Sequence, residues 1–535
     1  MISSSVGRVA ASIKTVGGNS KLLRPLGPRQ TIPKTGCFLR ANRARDRENR
    51  PQFATNSHPG GVFARRESRV DKEILDILSR DRIRQLVKDE PERFAAVLVK
   101  VEEEHLRNFM ERRSFPESGP PEVMMIGMGG IGLAYLAPLM VPLGKDVCFV
   151  EKLSNRVKAM QFARYRYDIL KVGPRSDPLG PQRATMSRIS ALWLNSESEN
   201  QIASLTLRID HVFTAVGSGN LQDLACLFAK MVKFRYAFHI ASPLNILLCE
   251  NMPVGKDTIS QLRSAIAFAL SGESSEVRLY FETHVGLVPA INEAIVPQVE
   301  ASFANPIPIE ADLAPLYVDA SEWKLDSSNQ LPSWPGVQFK RPFEPIHLRK
   351  LLVHNMTHAL VGYLGHFAGY LEMSEAVLDP EIRALVFDAA NTVANALYAD
   401  WRYSDTQHRE ADHYVSWILD RYNNPELGDQ TTRVCRDALR KLEQGDRLIG
   451  AINYVVTHTL NSNTAAVAES LSGILIGVAA AMRYVTDTGC APEGYADLRE
   501  KVISRLALDS RYLDEAERAF NDFLSRRRVA PMHSS

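Results

Sequence analysis

Cysteine is scarce in this chain: six in 535 residues, Cys37, Cys148, Cys226, Cys249, Cys435 and Cys490. They stand far apart and none forms a CxxC pair, which argues against a structural zinc site and against a disulfide framework. A reducing compartment is the ordinary expectation for such usage. An excess of one charge sign is also missing, with 64 Lys and Arg against 62 Asp and Glu. A net charge of +2 exerts no global pull on nucleic acid. Long apolar runs are absent as well. Apolar stretches such as Leu471 to Met482 are too short to cross a bilayer and read as buried helix. No internal repeat is visible. What remains is an ordinary soluble composition, 45% hydrophobic and 24% charged, in a chain long enough for two or three domains.

Acidic residues are missing from one segment. The first 45 residues hold nine Lys or Arg and no acid, and the first aspartate is Asp46. Two readings stand open, an organelle-targeting presequence and a disordered basic tail. The segment lacks the apolar stretch of a secretory signal. A cytoplasmic location is expected, with organelle targeting as its alternative. From Asp71 to about Arg113, apolar residues recur three and four apart, including Ile74, Ile77, Leu78, Phe94, Val97 and Leu98, which predicts a helical preface. Ser114 to Glu122 is a turn-rich linker. These patterns divide the chain into a basic extension (1–70), a helical extension and linker (71–120), a Rossmann-type domain (121–310) and a mainly helical substrate and catalytic domain (311–535).

The third segment carries the first motif. Val123 to Ile126 is an apolar run of strand length that ends in Gly127, Met128, Gly129, Gly130, Ile131 and Gly132. A strand, a GxGxxG turn and a helix form a dinucleotide-binding unit. The first glycine permits the tight turn, the second admits a pyrophosphate, and the third lets helix and strand pack. Val147 to Val150 forms a second apolar run and ends at Glu151, nineteen residues beyond Gly132. A carboxylate there accepts ribose hydroxyls and repels a 2′-phosphate, so NAD is expected over NADP. Lys152 and Arg156 soften that preference. Strand-like runs recur at His211 to Val216 and Asn245 to Cys249, with a helical pattern from Leu221 to Val232 between them. This alternation predicts an α/β domain with a parallel sheet covered by helices. Ala215, Val216 and Gly217 would lie along the cofactor, and Asn251 ends another strand. A hairpin-rich region is expected from Pro297 to about Pro345, and helices from there on.

A second constellation lies at the start of the helical part. In Lys350-Leu-Leu-Val-His354-Asn355-Met-Thr-His358, the lysine and both histidines recur every four residues and share one face of an α-helix. Asn355 lies further round. Hydride removal from a secondary alcohol needs a base for the hydroxyl proton and donors for the developing alkoxide. A desolvated lysine serves as the base, and Asn355 and His358 offer N–H groups. Taken alone, the same residues also fit a surface lysine with two packed histidines.

Lys350, Asn355 and His358 fit a K-x4-N-x2-H pattern that resembles the long-chain polyol-specific dehydrogenase family, most of all its mannitol-1-phosphate 5-dehydrogenase branch. The glycine loop, TAVG at 214–217, LNILLCENM at 244–252, ETHVGLV at 282–288 and IVP at 295–297 follow in the same order. The most specific stretch is Arg421 to Ile449. The resemblance covers the chain from about Glu122 onward and leaves the first 120 residues unexplained.

It implies a Rossmann domain followed by a helical substrate domain, NAD as cofactor, and no metal, an absence consistent with the lack of a clustered Cys/His set. It also implies Lys350 as general base, Asn251 and Asn355 as an oxyanion-stabilising pair, and His358 orienting and hydrogen-bonding the substrate oxygen. His354 lies outside the pattern. The implied reaction is reversible oxidation of mannitol 1-phosphate to fructose 6-phosphate. Arg433, Arg436, Arg440, Lys441 and Arg447 are the phosphate candidates, since guanidinium groups fork onto phosphate oxygens. A solvated basic helix face, neutralised by Asp437, Glu443 and Asp446, explains the same run. Glu293-Ala294 stands where the family commonly has Asp-Arg, and Cys435 and Ala438 replace a glycine and a proline. These departures keep open a free polyol or a hydroxylated substrate of specialised metabolism. A non-catalytic cofactor-binding interaction protein is the contrasting reading. The expected partner is a small polyol or sugar phosphate, with no nucleic acid and no membrane, on a monomer or homodimer.

Overall fold

The computed structural model describes residues 120–173, 180–253, 257–296, 299, 303–401, 411–459, 464–491 and 493–529. The basic segment, the helical pattern over 71–113 and Pro297 lie outside these residues.

Eleven strands follow in order among the described residues: β1 (Val123–Ile126), β2 (Val147–Glu151), β3 (Tyr167–Val172), β4 (Gln182–Met186), β5 (Ile189–Trp193), β6 (His211–Thr214), β7 (Leu244–Leu248), β8 (Val285–Ile291), β9 (Ile307–Glu310), β10 (Leu316–Asp319) and β11 (Val337–Lys340). Eight form one sheet in the order β11-β10-β8-β7-β6-β1-β2-β5. From β8 to β5 every pairing is parallel. Helices cover both faces, so the central strands read as unbroken apolar runs, not alternating ones. Val123 and Met125 point into one core and Met124 and Ile126 into the other, as the two-residue period of a strand requires. The strand order reverses direction at β1, whose neighbours are β2 and β6. In an open α/β sheet the crevice beyond the carboxyl ends at this point takes the ligand.

The expected hairpins between Pro297 and Pro345 are not what forms. Instead β9 pairs in parallel with β3, β10 runs antiparallel to β8, and β11 is parallel to β10. Turn residues mark where these strands end, but their partners come from elsewhere in the chain, which local spacing does not encode.

Beyond Lys340 the described chain is helical. Its core gathers the helices Asn355–Phe367, Pro380–Trp401, Ala411–Tyr422, Ile449–His458 and Ser472–Asp487. The apolar run of Leu471 to Met482 is a buried helix, as expected. At Gly477 it crosses the Asn355–Phe367 helix so closely that a Cβ would lie 1.9 Å from Leu360 Cδ2. A side chain there would force the Leu360 side chain out of its place between the two helices. No described helix is long and apolar enough to span a membrane.

Candidate active site

The glycine loop sits at the carboxyl end of β1, at the switch point. Gly127 has φ +106°, and a Cβ on it would lie 2.5 Å from the Ala215 carbonyl oxygen. At Gly132 a Cβ would come within 2.4 Å of Gly127 O and 3.2 Å of the Phe149 ring. Gly129 faces open space apart from Arg156 Nη1 at 3.8 Å. Turn, packing and open approach thus fall to the first, third and second glycines, as a pyrophosphate cradle requires. The following helix begins as a π-helical turn, Ile131–Leu136, with Gly130 at its cap and no side chain on its first amides. Those amides suit an anion. These residues fit a dinucleotide.

Glu151 ends β2 as expected, and its carboxylate already has two partners. Met128 N–H donates to Oε2 and Leu153 N–H to Oε1, each at 2.9 Å. Each carboxylate oxygen retains a second lone pair for a ribose hydroxyl. Arg156 donates to Met128 O at 2.9 Å. On the other side of β1, Glu250 at the end of β7 accepts from Thr214 Oγ1 at 2.8 Å and Val216 N–H at 3.0 Å. This fully buried carboxyl holds the Ala215-Val216-Gly217 loop in place, and burial pushes it up to about 7 against those two bonds.

Lys350 does not lie on an uninterrupted α-helix. Arg349–His354 is a π-helical turn, and Asn355 N–H closes it onto Lys350 O, five residues back. The expected stacking of Lys350, His354 and His358 is therefore altered. In an i→i+5 turn the residue set above Lys350 is Asn355. His358 follows one ordinary α-turn later. His354 is instead buried, its carbonyl accepting from Tyr422 OH at 2.9 Å and its ring 5.9 Å from the Tyr422 ring. Burial first, then the neighbouring Lys350 and Arg421, drive its pKa well down, so this imidazole stays neutral.

Asn251, just past β7, meets the same helix. Asn355 Nδ2 donates to Asn251 Oδ1 at 3.3 Å. The two amides predicted as a pair are thus brought together across 104 residues of chain. His358 Nε2 lies 2.8 Å from Asp429 Oδ2. Lys350 is buried and donates no hydrogen bond to a described residue. Burial lowers its ammonium to about 7; Glu293 opposes that shift and Arg421 adds to it. The displacement amounts to roughly 5 kcal/mol against the charged form.

Sequence reasoning missed the charged set behind the lysine. Glu293 is fully buried, accepts from Tyr414 OH at 2.7 Å and faces Arg349 at 3.4 Å. Burial raises its carboxyl, but Arg349 and Lys350 outweigh that and hold it below its usual range. Arg349 also lies 4.6 Å over the Tyr414 ring. Arg421 donates to Glu310 at 2.7 Å and 2.6 Å and to Glu293 O at 2.6 Å. The signals in the sequence were the Glu293-Ala294 departure and Arg421 at the head of the most specific stretch. Glu293 pairs with Arg349, the residue before Lys350.

Residues 121–330 match the mannitol dehydrogenase Rossmann domain and residues 342–511 the mannitol dehydrogenase C-terminal domain. The chain belongs to the mannitol dehydrogenase family. This is a family of NAD-dependent polyol dehydrogenases. Mannitol 2-dehydrogenase of Pseudomonas fluorescens, solved with NAD and D-mannitol, superposes with a TM-score of 0.60 at 17% identity. That match covers 78% of this chain and 98% of that one. A D-sorbitol dehydrogenase in substrate-free form gives 0.57 at 14% identity, over 78% and 97%. At such identities the likeness speaks for the fold. The two-domain architecture and the polyol dehydrogenase family read from the sequence are both borne out.

The phosphate candidates of this mannitol dehydrogenase family member fare unevenly. Arg433 holds Asp429, with Nε at 2.7 Å. Arg440 and Arg447 share Asp446, at 2.7 Å and 2.8 Å. Lys441 is buried under the Tyr363 ring and donates to the carbonyls of Val434 and Arg436. Burial lowers its ammonium to about 7. Four of the five cations expected to grip phosphate are thus committed to protein partners. Of the five, Arg436 is exposed and has no acid partner among the described residues, its Nε donating to Arg433 O at 3.1 Å. It lines a cleft of about 850 Å³ with Val216–Asn220, Asn251, Arg440 and Cys490. Among the described residues no group of three or more His, Cys, Asp or Glu is set to hold a metal ion.

Proposed function

We propose that this chain catalyses the reversible NAD-linked oxidation of a polyol at a secondary carbinol, with Lys350 as the acid/base group. The observation that carries this reading is a buried lysine brought to about 7 one π-helical turn before Asn355, whose amide is paired with Asn251. When bound, the nicotinamide takes up or returns the hydride. Neutral Lys350 takes the carbinol proton as hydride leaves the carbon, and the ammonium returns it during ketone reduction. Asn251 and Asn355 retain N–H groups beyond their mutual bond, three in all between two amides, and direct them at the developing oxyanion. The test is NADH oxidation on mixing with fructose or fructose 6-phosphate; no turnover with either ketose defeats the proposal.

Charge compensation around Asp429 and Asp446 favours the unphosphorylated polyol. The phosphate reading, mannitol 1-phosphate and fructose 6-phosphate, rests on Arg436 in the cleft wall. The two are separated by Arg436→Ala. If the phosphate is bound there, kcat/KM for fructose 6-phosphate falls by about 10- to 100-fold, the worth of one charge-assisted contact, and that for fructose stays level. On the favoured reading wild type prefers fructose and the substitution leaves that preference unchanged.

NAD preference is assigned to Glu151. Glu151→Ser should shift the NADP-to-NAD ratio of kcat/KM upward by about 10- to 100-fold, the repulsion of two charges in a partly screened site. An unchanged ratio would remove Glu151 from ribose recognition and leave it as a brace for Met128 and Leu153.

A further inference from the structure

The direction of the hydrogen bond at His358 bears on what the substrate must carry. Asp429 is buried and grips two donors at once. Arg433 occupies Oδ1, with Nε at 2.7 Å and Nη2 at 2.5 Å, and His358 Nε2 meets Oδ2 at 2.8 Å. An ionised carboxylate only accepts, so Nε2 carries the proton. Burial raises the Asp429 carboxyl, but His358 and Arg433 together outweigh it and keep it ionised. Burial, acting against Asp429, keeps the imidazole below its ordinary value and hence neutral near pH 7. A neutral imidazole with Nε2–H has a bare lone pair on Nδ1. Nδ1 has no hydrogen-bond partner among the described residues, and the side chain keeps 18% of its surface exposed.

A lone pair cannot stabilise an alkoxide. The expectation that His358 hydrogen-bonds the reacting oxygen therefore meets a polarity conflict in this arrangement, because both Asn251 and Asn355 already offer donors there. His358 lies three residues past Asn355, about 4.5 Å along the helix axis, the scale of one further carbon and its oxygen. We propose that His358, fixed as an Nδ1 acceptor by Asp429 and Arg433, receives a hydrogen bond from a hydroxyl flanking the reacting carbon. It thereby confines the enzyme to vicinal diols and α-hydroxy ketones. This rests on the polyol reading above. It also gives Arg433 a task other than phosphate binding: it pins the carboxylate that sets the imidazole.

The test uses the full-length enzyme, NADH and three ketoses: fructose, 1-deoxy-1-fluorofructose and 3-deoxy-3-fluorofructose, all in phosphorylated form if fructose 6-phosphate is the better substrate. Fluorine has the size of a hydroxyl group but donates nothing. Wild type should lose roughly 10²-fold or more in kcat/KM with one of the two fluoro compounds, because an unpaired polar group is left facing it. In Asp429→Asn, Arg433 keeps the amide oxygen and turns its NH2 toward His358. Nε2 then becomes the acceptor and Nδ1 the donor. The fluoro-to-hydroxyl ratio of kcat/KM should rise at least tenfold over wild type, a change that loss of structure alone does not produce. Equal turnover of fructose and both fluoro compounds by wild type overturns the inference, whether or not the variant folds. A substituted enzyme with an unaltered ratio does the same. No turnover of the parent ketoses would instead strike at the polyol reading itself.

Discussion

Lys350→Ala should lower kcat by about 10²- to 10⁴-fold, the usual worth of a positioned acid/base group, and leave the dissociation constant for NADH close to that of wild type. The separation follows from the architecture. Lys350 sits on a π-helical turn of the helical domain, whereas the dinucleotide cradle is built from the ends of β1, β2 and β6. Removing a buried amine that makes no hydrogen bond to a described residue creates a cavity but orphans no donor of its own. Glu293 loses one of the three cations that hold it ionised and keeps Arg349 and Arg421. Stopped-flow NADH binding together with steady-state turnover checks both parts. Near-normal kcat would reject the lysine's role, and a parallel collapse of NADH binding would point to misfolding.

The second large effect belongs to the paired amides. Asn355→Ala should cost about 10²- to 10³-fold in kcat, the size found when one oxyanion donor is deleted. Asn251→Ala should cost a comparable amount. On the proposed reading both serve one oxygen, and they contact each other at 3.3 Å, so the double substitution should fall short of the product of the single effects. A rise in KM with kcat intact in Asn355→Ala would mean that the amide binds ground state and transition state equally.

Much of this site was legible in the sequence, for reasons that differ between its parts. The glycine loop is a local motif, and its three glycines answer to contacts with Ala215, Gly127 and Phe149 that only a bare Cα permits. The spacing of Lys350, Asn355 and His358 was visible too, but its meaning was not. Read with an α-helical period it puts His354 in line with the lysine. One i→i+5 turn puts Asn355 there instead and leaves His354 to pack against Tyr422. The counter-charges were hidden because they come from distant segments. Glu293 and Arg349 are 56 residues apart, His358 and Asp429 are 71, and Glu310 and Arg421 are 111. The basic run from Arg433 to Arg447 was legible in part. Asp446 was anticipated as a neutralising acid and holds Arg440 and Arg447, but Asp429 taking Arg433 and Lys441 turning inward depend on how short helical turns fold back on themselves.

The most direct test of the account is the pH profile of kcat/KM for polyol oxidation, recorded for wild type and for Lys350→Ala. Oxidation needs the neutral amine, so the wild-type rate should climb as pH rises through about 7 and then level off, with ketone reduction falling over the same range. The substituted enzyme should lose that inflection from whatever activity remains. An unchanged inflection near 7 in Lys350→Ala would contradict the account and pass the titration to another group, with the buried Glu250 carboxyl, also at about 7, first in line.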